Sequence, residues 1–277
     1  MEKIRNLLPS LLVILVAAVV IVQLFPSFHP YGGIRLPLDS QAIEKRSREL
    51  LSSMGVSVDG MSAQPQLRYD EQLFRQLEQK YGIDKSNELT RDKIPVYHWD
   101  VRWGKSSGLI PSSGGAREQS KAAQAVAEIL RGDVFTQLGT AGQLIEFERK
   151  VADSVSLPSF SQGEARALAA TFLHRYTNAA TMLSDTAQPS SEKRIEQKQR
   201  VDYEFVWSAK MPFLDNPMHV TVSIAGDRVA AYKADVDIPE EFKKSDVDLV
   251  WRLGLPIFYF LVIITMIVVA FRRFRAF

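Results

Sequence analysis

The sequence contains an uncharged run long enough to cross a membrane as a helix. The run is Leu253–Phe271, LGLPIFYFLVIITMIVVAF, and the basic residues of the 272–277 tail follow it directly. At 1.5 Å per helical residue, about 19 residues span roughly 28 Å, close to the thickness of a bilayer's hydrocarbon core. Lipid offers the backbone no hydrogen-bond partners, so the run predicts a transmembrane helix over 253–271.

A second apolar run of similar length lies at Leu7–Phe25, after Lys3 and Arg5. A cleaved signal peptide is the alternative. However, the run is longer than a usual signal-peptide core, and residues 23–30 offer no small-x-small cleavage site. The sequence therefore predicts an uncleaved transmembrane helix over 7–25, preceded by residues 1–6 on the cytoplasmic side.

The distribution of basic residues predicts the topology. Arginine and lysine outside both apolar runs favour a cytoplasmic location for both termini, with the central region on the other side of the membrane. Lys243, Lys244 and Arg252 lie on the opposite flank of the second run, so the asymmetry is modest. We expect a protein of the bacterial cytoplasmic (inner) membrane, because an extracytoplasmic domain of this size without disulfides is ordinary in bacteria.

Composition excludes some classes of site in the central region. The chain of 277 residues has no cysteine, which rules out a disulfide framework and any thiolate metal site. The net charge of +2, with no basic run interleaved with aromatic residues, gives no argument for nucleic acid. We expect the bilayer and a peptide or protein as partners, and no nucleic acid.

Hydrophobic periodicity divides the first part of the central region into elements after a Pro- and Gly-rich linker, 26–38. The first predicted elements are a helix with Ile43, Ser47, Leu50, Leu51 and Met54 on one face, a strand over 56–62, and a helix with Leu73, Phe74, Leu77 and Tyr81 that ends at Gly82. A strand over 97–103 follows, with Tyr97, Trp99, Val101 and Trp103 inward. The last predicted elements are a loop over 104–115, a helix over 117–130, and a hairpin of 134–138 with 144–151.

The following part has a similar arrangement. It predicts a helix capped by Ser161 with an apolar stripe from Ala165 to Tyr176, a polar loop over 184–197, an alternating strand over 201–207, and a hairpin of 218–224 with 229–236 that turns at Gly226.

Three matches suggest an internal duplication. The matching positions are Leu50-Leu51 with Phe172-Leu173, Trp103 with Trp207, and Ala141-Gly142 with Ala225-Gly226. The spacing between matches is longer in the first copy, by about the length of one helix at each of two places. The predicted fold class is α+β: a first unit over 39–157 with two helical insertions, and a second over 158–245. In each unit, one helix covers an antiparallel sheet.

These residues carry a resemblance to known families. The helix followed by a wrapped sheet is similar to PepSY-like and cystatin-like modules. The region from Asp39 to Phe271 resembles the N-terminal, non-catalytic region of long CPBP-family (CaaX-protease-like) intramembrane metalloproteases. The matching segments are 97–103 (YHWDVRW), 164–168 (EARAL) with Phe172-Leu173, 191–194 (SEKR), 202–207 (DYEFVW) and 238–242 (IPEEF).

The resemblance implies a regulatory rather than a catalytic part. The family's catalytic region is a later membrane bundle with a glutamate pair followed by arginine and with further helices bearing histidine. Glu240 and Glu241 are followed by Phe242 and Lys243, without that arginine. Whether the protein belongs to an enzyme is left open by the sequence, and no catalytic, cofactor-binding or metal-binding residue is predicted.

Other chemistry has weak support in the sequence. His29, His98, His174 and His219 never come at metal-ligand spacing, and His98 and His219 are expected on the outward phase of their strands, as surface residues. Ser190 and Lys193 match the core of a serine–lysine acyl-transfer motif without its companion motifs. Trp99, Trp103 and Trp207 are expected in the core, although sheet edges of this kind can bind an added peptide strand.

The expected function is therefore a membrane-anchored extracytoplasmic module that senses a ligand or binds a substrate or partner, as the N-terminal regulatory region of a CPBP-type protease. Two alternatives stay open: the sensor region of a two-helix signalling receptor, and a free-standing membrane-tethered adaptor. The reading frame downstream of Phe277 distinguishes them. A polysaccharide chain-length regulator shares the two anchors, but it needs long coiled-coil helices, and this central region is too rich in strands.

Overall fold

The computed structural model describes residues 36–104, 133–179, 188–214 and 216–243, with single positions at 19, 23, 34 and 183. Apart from Val19 and Gln23, the predicted transmembrane segments 7–25 and 253–271 lie outside the described residues, as does the helix predicted over 117–130. Within the described part of the chain, no helix has the length and apolar character needed to cross a membrane.

The described residues form eight strands and four helices. The helices are α1 (Ser40–Ser53), α2 (Glu71–Asp92), α3 (Gln162–Tyr176) and the short α4 (Glu240–Lys243); the strands are β1 (Ser62–Tyr69), β2 (Tyr97–Gly104), β3 (Val134–Gly139), β4 (Leu144–Arg149), β5 (Ser191–Glu196), β6 (Val201–Lys210), β7 (Pro217–Ala225) and β8 (Arg228–Val236). This mixture of helices with an antiparallel sheet confirms the α+β class.

All eight strands belong to one antiparallel sheet in the order β1-β2-β3-β4-β8-β7-β6-β5. The first four strands form one half of the sheet and the last four form the other. The halves join through β4 and β8, where Phe147 pairs with Tyr232. The sequence predicted a separate sheet in each unit. The difference has a simple cause: joining two edge strands satisfies backbone groups that each half would otherwise expose.

Two helices cover the same face of this sheet. Helix α1 packs on β1 to β3, and α3 packs on β6 to β8. Residues directly opposite each other in paired strands share a face. Thr136, which bonds to Ser47 of α1, is opposite Phe147. The Phe147 ring in turn lies 6.3 Å from that of Phe172 in α3. We call this side of the sheet the helix face.

Helix α1 is held to the first half by apolar and polar contacts. Asp39 caps its N terminus through the Ala42 amide, at 2.8 Å. Its inward residues Ile43, Ser47, Leu50 and Leu51 are buried, as the periodicity predicts. The Ser47 hydroxyl lies 2.8 Å from that of Thr136, and the Trp103 indole N–H donates to Ser47 Oγ at 2.9 Å.

Helix α3 also agrees with the sequence pattern. Ser161 and Glu164 form a reciprocal capping box at its N terminus. The inward residues Ala165, Ala169, Phe172 and Leu173 are buried against the second half of the sheet. The Phe172 ring lies 5.7 Å from Tyr232 of β8.

Two predicted boundaries are wrong, and one helical segment was missed. A strand was predicted over 56–62, but the strand is β1, Ser62–Tyr69. Its sequence, SAQPQLRY, has no regular alternation of apolar and polar residues. The 184–197 stretch, predicted as a loop, contains β5. The second helix bends at Gly82, with φ 76° and ψ 167°, and a further helical segment continues to Asp92. Gly82 thus ends the first segment, as predicted, because a positive φ suits glycine, but the continuation was missed.

The two ends of the sheet carry different connections. At the end we call proximal, β1 passes into α2, β3 turns into β4, and β6 passes through residues 211–216 into β7. The chain joins α1 at this end, where the Leu38 side chain lies beside the turn glycine Gly142. The chain also leaves β8 at the proximal end, where the Asp237 amide donates to the Pro217 carbonyl at 2.9 Å. The opposite, distal end contains the β5–β6 and β7–β8 turns.

Candidate functional site: an arginine-lined cleft

An open cleft of about 360 Å³ lies on the helix face. Its volume falls within the range of small-ligand sites. The lining comes from the segment after α1, from β4, from α3 and from the β7–β8 turn: Met54, Gly55, Val56, Phe147, Arg149, Leu168, Thr171, Phe172, Arg175, Tyr176, Asp227, Arg228 and Val229. The cleft is therefore built by both halves of the sheet.

The floor of the cleft is apolar. Val56, Phe147 and Phe172 are buried, and Leu168 is half-buried. Tyr176 links the two helices, because its hydroxyl donates to the Ser53 carbonyl at 2.6 Å. An apolar part of a ligand would displace water from this surface at a gain of roughly 25 cal/mol per Å².

Arg149 places a positive charge beside this apolar floor. It follows Phe147 by two residues in β4, so both side chains lie on the helix face. Burial, followed by repulsion from Arg228, lowers the pKa of Arg149 to about 10, while Asp227 opposes the shift. Its Nε is buried and has no hydrogen-bond partner within the described part of the chain. The side chain therefore stays charged at neutral pH in surroundings that disfavour the charge.

The acidic group in the cleft is already engaged. Asp227 accepts a hydrogen bond from Arg228 Nε at 2.8 Å. That bond, more than the opposing effect of burial, lowers the pKa of the Asp227 carboxyl. Arg175 at the rim is exposed, and its guanidinium carbon lies 5.3 Å from the centre of the Tyr176 ring. Among the described residues lining the cleft, three arginines thus face one aspartate.

This arrangement suits binding rather than catalysis. Guanidinium groups pair with carboxylates and phosphates through charge-assisted hydrogen bonds. The described lining contains neither a histidine nor a cysteine, and its one hydroxyl of the serine–threonine type, Thr171 Oγ1, donates to Ala167 O at 2.8 Å. The lining supplies the groups that recognition of an anion with an apolar body requires.

The histidines weighed in the sequence lie elsewhere. His98 and His219 are on the face opposite the helices, as their phase predicts. His219 is 43% exposed at its side chain, but His98 is only 15% exposed, so the prediction of a surface residue is wrong for His98. Burial lowers the pKa of His98, and the negative charges of Asp100 and Asp70, which raise it, offset only part of this shift. Within the described ranges, no group of His, Asp and Glu residues forms a metal-binding cluster.

The other sequence candidates have structural roles. Trp99, Trp103 and Trp207 are buried, as predicted. The Ser190 hydroxyl donates to the Val206 carbonyl at 2.9 Å, and its Oγ accepts from Ser208 at 3.0 Å. The edge strand β5 is mostly charged in sequence, SEKRIE, which weakens the case for peptide addition at that edge.

No local sequence pattern indicates Arg149, Arg175 or Arg228 as functional residues. Arg149 comes at the end of a strand and has no local motif, so its significance depends on contacts with distant segments. Comparison with protein-family models, with curated proteins and with solved structures finds no match to this chain.

Proposed function

We propose that this protein is a membrane-anchored, extracytoplasmic module that binds an anionic ligand with an apolar body in the Arg149 cleft. The ligand class that fits best is the C-terminal carboxylate of a peptide ending in an apolar residue. The observation that carries the proposal is the charged, partly buried Arg149 guanidinium beside the apolar side chains of Phe147 and Phe172.

The position of the cleft supports a sensing role. Its walls come from β4 in the first half and from α3 and the β7–β8 turn in the second. A ligand there would contact both sides of the β4–β8 junction, which has only three paired positions. Binding would therefore favour one relative arrangement of the halves, which is the differential contact a ligand needs to shift a conformational equilibrium.

The proposal includes an internal duplication. Each half contributes one helix on the helix face and four antiparallel strands, and the halves meet at their last strands, β4 and β8. In this interpretation α1 corresponds to α3, and α2 is an insertion within the first unit. The PepSY-like and cystatin-like resemblance supports the same two-unit description.

The anchors and the family complete the proposal. Transmembrane helices over 7–25 and 253–271 would hold the module outside the cytoplasmic membrane, with both termini cytoplasmic. The resemblance supports a role as the N-terminal regulatory region of a CPBP-type intramembrane metalloprotease. Ligand binding would then act through residues 239–251 on the last helix.

A binding experiment with a matched ligand pair tests the cleft. The full chain in nanodiscs is titrated with acetyl-Ala-Ala-Leu carrying a free carboxylate and with the same peptide as its amide. We expect the acid to bind more tightly. We also expect Arg149→Met to weaken binding of the acid about 10- to 100-fold, because a hydrogen bond to a charged group contributes roughly 1.5–3 kcal/mol. The amide's affinity should be nearly unaffected.

Arg194→Met is the matched control. Arg194 lies on edge strand β5 and pairs with Glu196 at 2.9 Å, away from the cleft. Its loss should leave both affinities unchanged. Equal binding of the acid and the amide, or equal loss of affinity in the two variants, would overturn the assignment of the cleft.

A further inference from the structure

The loop at residues 211–216 presents an aromatic side chain to solvent at the proximal end of the sheet. Phe213 has φ 74°, and it is the non-glycine residue with a positive φ among those described. Its neighbours Met211 and Leu214 are 5% and 6% exposed, whereas Phe213 is 39% exposed. The backbone thus adopts a conformation that a side chain disfavours, and Phe213 points outward between two buried apolar residues.

Contacts from α2 hold this conformation in place. The Phe213 carbonyl accepts a hydrogen bond from the Tyr81 hydroxyl at 2.5 Å and another from Lys80 Nζ at 2.7 Å. Lys93 Nζ lies 5.3 Å from the centre of the Phe213 ring. Tyr81 is itself 36% exposed. We call Phe213, Tyr81, Lys80 and Lys93 the aromatic ledge.

The aromatic ledge lies where the chain leaves the sheet. Asn216, in the same loop, donates from Nδ2 to the Asp237 carbonyl at 2.9 Å. A reciprocal amide pair with Gln76, 2.8 Å in each direction, fixes Asn216 to α2. The chain also joins α1 at this end, beside Gly142. The segments that lead to both apolar runs therefore start from the end that carries the ledge.

We propose that the aromatic ledge rests on the surface of the membrane that anchors the chain. Tyr81 would lie in the headgroup region, where amphipathic aromatic rings are enriched, and the apolar Phe213 ring would insert toward the acyl boundary beside it. Lys80 and Lys93 would face anionic lipid phosphates. This inference rests on the anchoring stated under the proposed function. It adds that the domain is held against the bilayer by its own surface.

Tethering alone does not produce this contact. Fifteen residues, 238–252, separate Asp237 from Leu253. With α4 kept helical and the other residues extended at 3.3–3.6 Å each, they reach about 40 Å. An anchored domain is therefore free to stand well away from the lipid, and the position of the ledge relative to the bilayer is a separate, measurable quantity.

Spin labels at unique cysteines measure that position. The chain has no native cysteine, so each introduced one is labelled alone. The full chain carrying Phe213→Cys, or in a second variant Tyr81→Cys, is reconstituted in vesicles of phosphatidylglycerol and phosphatidylcholine. Collision rates of the label with oxygen, which concentrates in lipid, and with a water-soluble nickel chelate are compared. Lys198→Cys, in the exposed β5–β6 turn at the distal end, is the control.

We expect the ratio of oxygen to nickel collisions to be several-fold higher at 213 and 81 than at 198. Replacing both Lys80 and Lys93 by Glu should lower the ratio at 213, because anionic lipid would then repel the ledge. Equal ratios at all three positions, with the chain retained in the vesicles, would overturn the ledge contact and leave the anchoring intact. A chain that stays in the aqueous fraction would instead overturn the anchoring.

Discussion

The two halves of the sheet hold their helices by different chemistry. In the first half, a buried hydrogen bond between the Ser47 and Thr136 hydroxyls and another from the Trp103 indole N–H to Ser47 join α1 to the sheet. In the second half, buried apolar side chains, including Phe172, join α3 to the sheet. Satisfied polar contacts fix one arrangement, whereas apolar contact is less directional. The comparison teaches that the same helix-on-sheet layout can be built with buried directional bonds added to apolar contact, as in α1, or with a buried contact that is apolar, as in α3.

Connections between the halves are also specific. The buried Arg200 at the distal end bonds Asp202 Oδ1 at 2.9 Å and donates from Nη1 to Ala152 O and Val155 O at 2.7 and 2.9 Å. Asp202 Oδ1 also accepts from the Gly226 amide at 3.0 Å. The segment after β4 is thereby fixed to the start of β6, independently of the β4–β8 pairing.

The largest loss of stability is expected in the second half, where buried apolar contacts hold α3 to the sheet. Phe172→Ala should lower the free energy of unfolding by about 3–5 kcal/mol, because the ring contacts Phe147, Tyr176 and Tyr232 and a cavity would remain. Chemical denaturation measures the change. His174→Ala, exposed on the same helix, should change the value by less than about 0.5 kcal/mol. Similar effects of the two variants would contradict the packing of α3.

A smaller effect is expected in the first half. Ser47→Ala should cost about 1–3 kcal/mol, since it leaves Thr136 Oγ1 and the Trp103 indole N–H with one bond fewer in a buried site. Ser52→Ala, exposed on the same helix, is the control. Denaturation midpoints of the two variants, measured side by side, show whether the buried hydrogen bonds of Ser47 stabilise the protein. A Ser47 variant as stable as the Ser52 variant would mean that these buried hydrogen bonds contribute little and that apolar contact holds α1 to the sheet.

The smallest effect concerns the cap of α3. Ser161→Ala should cost about 1 kcal/mol through loss of the N-cap. Hydrogen bonds from the Ser161 side chain and then its backbone lower the pKa of Glu164. A lowered carboxyl pKa contributes stability above the ordinary value of about 4.5, which is lost as pH falls through the folded-state pKa. Thermal melts between pH 7 and pH 3 should therefore show a weaker acid dependence in Ser161→Ala. An unchanged dependence would argue against the capping box.

The sequence predicts the parts of this fold that have strong alternation. The aromatic strands β2 and β6, the β3–β4 and β7–β8 hairpins and the inward faces of α1 and α3 were predicted from periodicity and confirmed. Edge strands β1 and β5 were misplaced because Pro65 interrupts one and charged side chains dominate the other. A strand that gains its stability from one neighbour does not need a regular apolar face.

The single sheet and the cleft depend on contacts between distant segments. Phe147 and Tyr232 are 85 positions apart in the sequence, and nothing local to either residue indicates that they pair. Arg149 has significance only when α3 and the β7–β8 turn lie beside it. Periodicity identifies which face of an element is buried, but it does not identify which elements share that face.

The most direct test of the proposed function is the environment of Arg149 when ligand is added. The guanidinium nitrogen resonances of Arg149 are assigned in the nanodisc-embedded chain by comparison with Arg149→Lys, and acetyl-Ala-Ala-Leu is then titrated as acid and as amide. The proposal predicts that the acid shifts the Arg149 signals in a saturable way and that the amide does not. Unchanged Arg149 signals at saturating acid would contradict the claim that this cleft recognises a carboxylate.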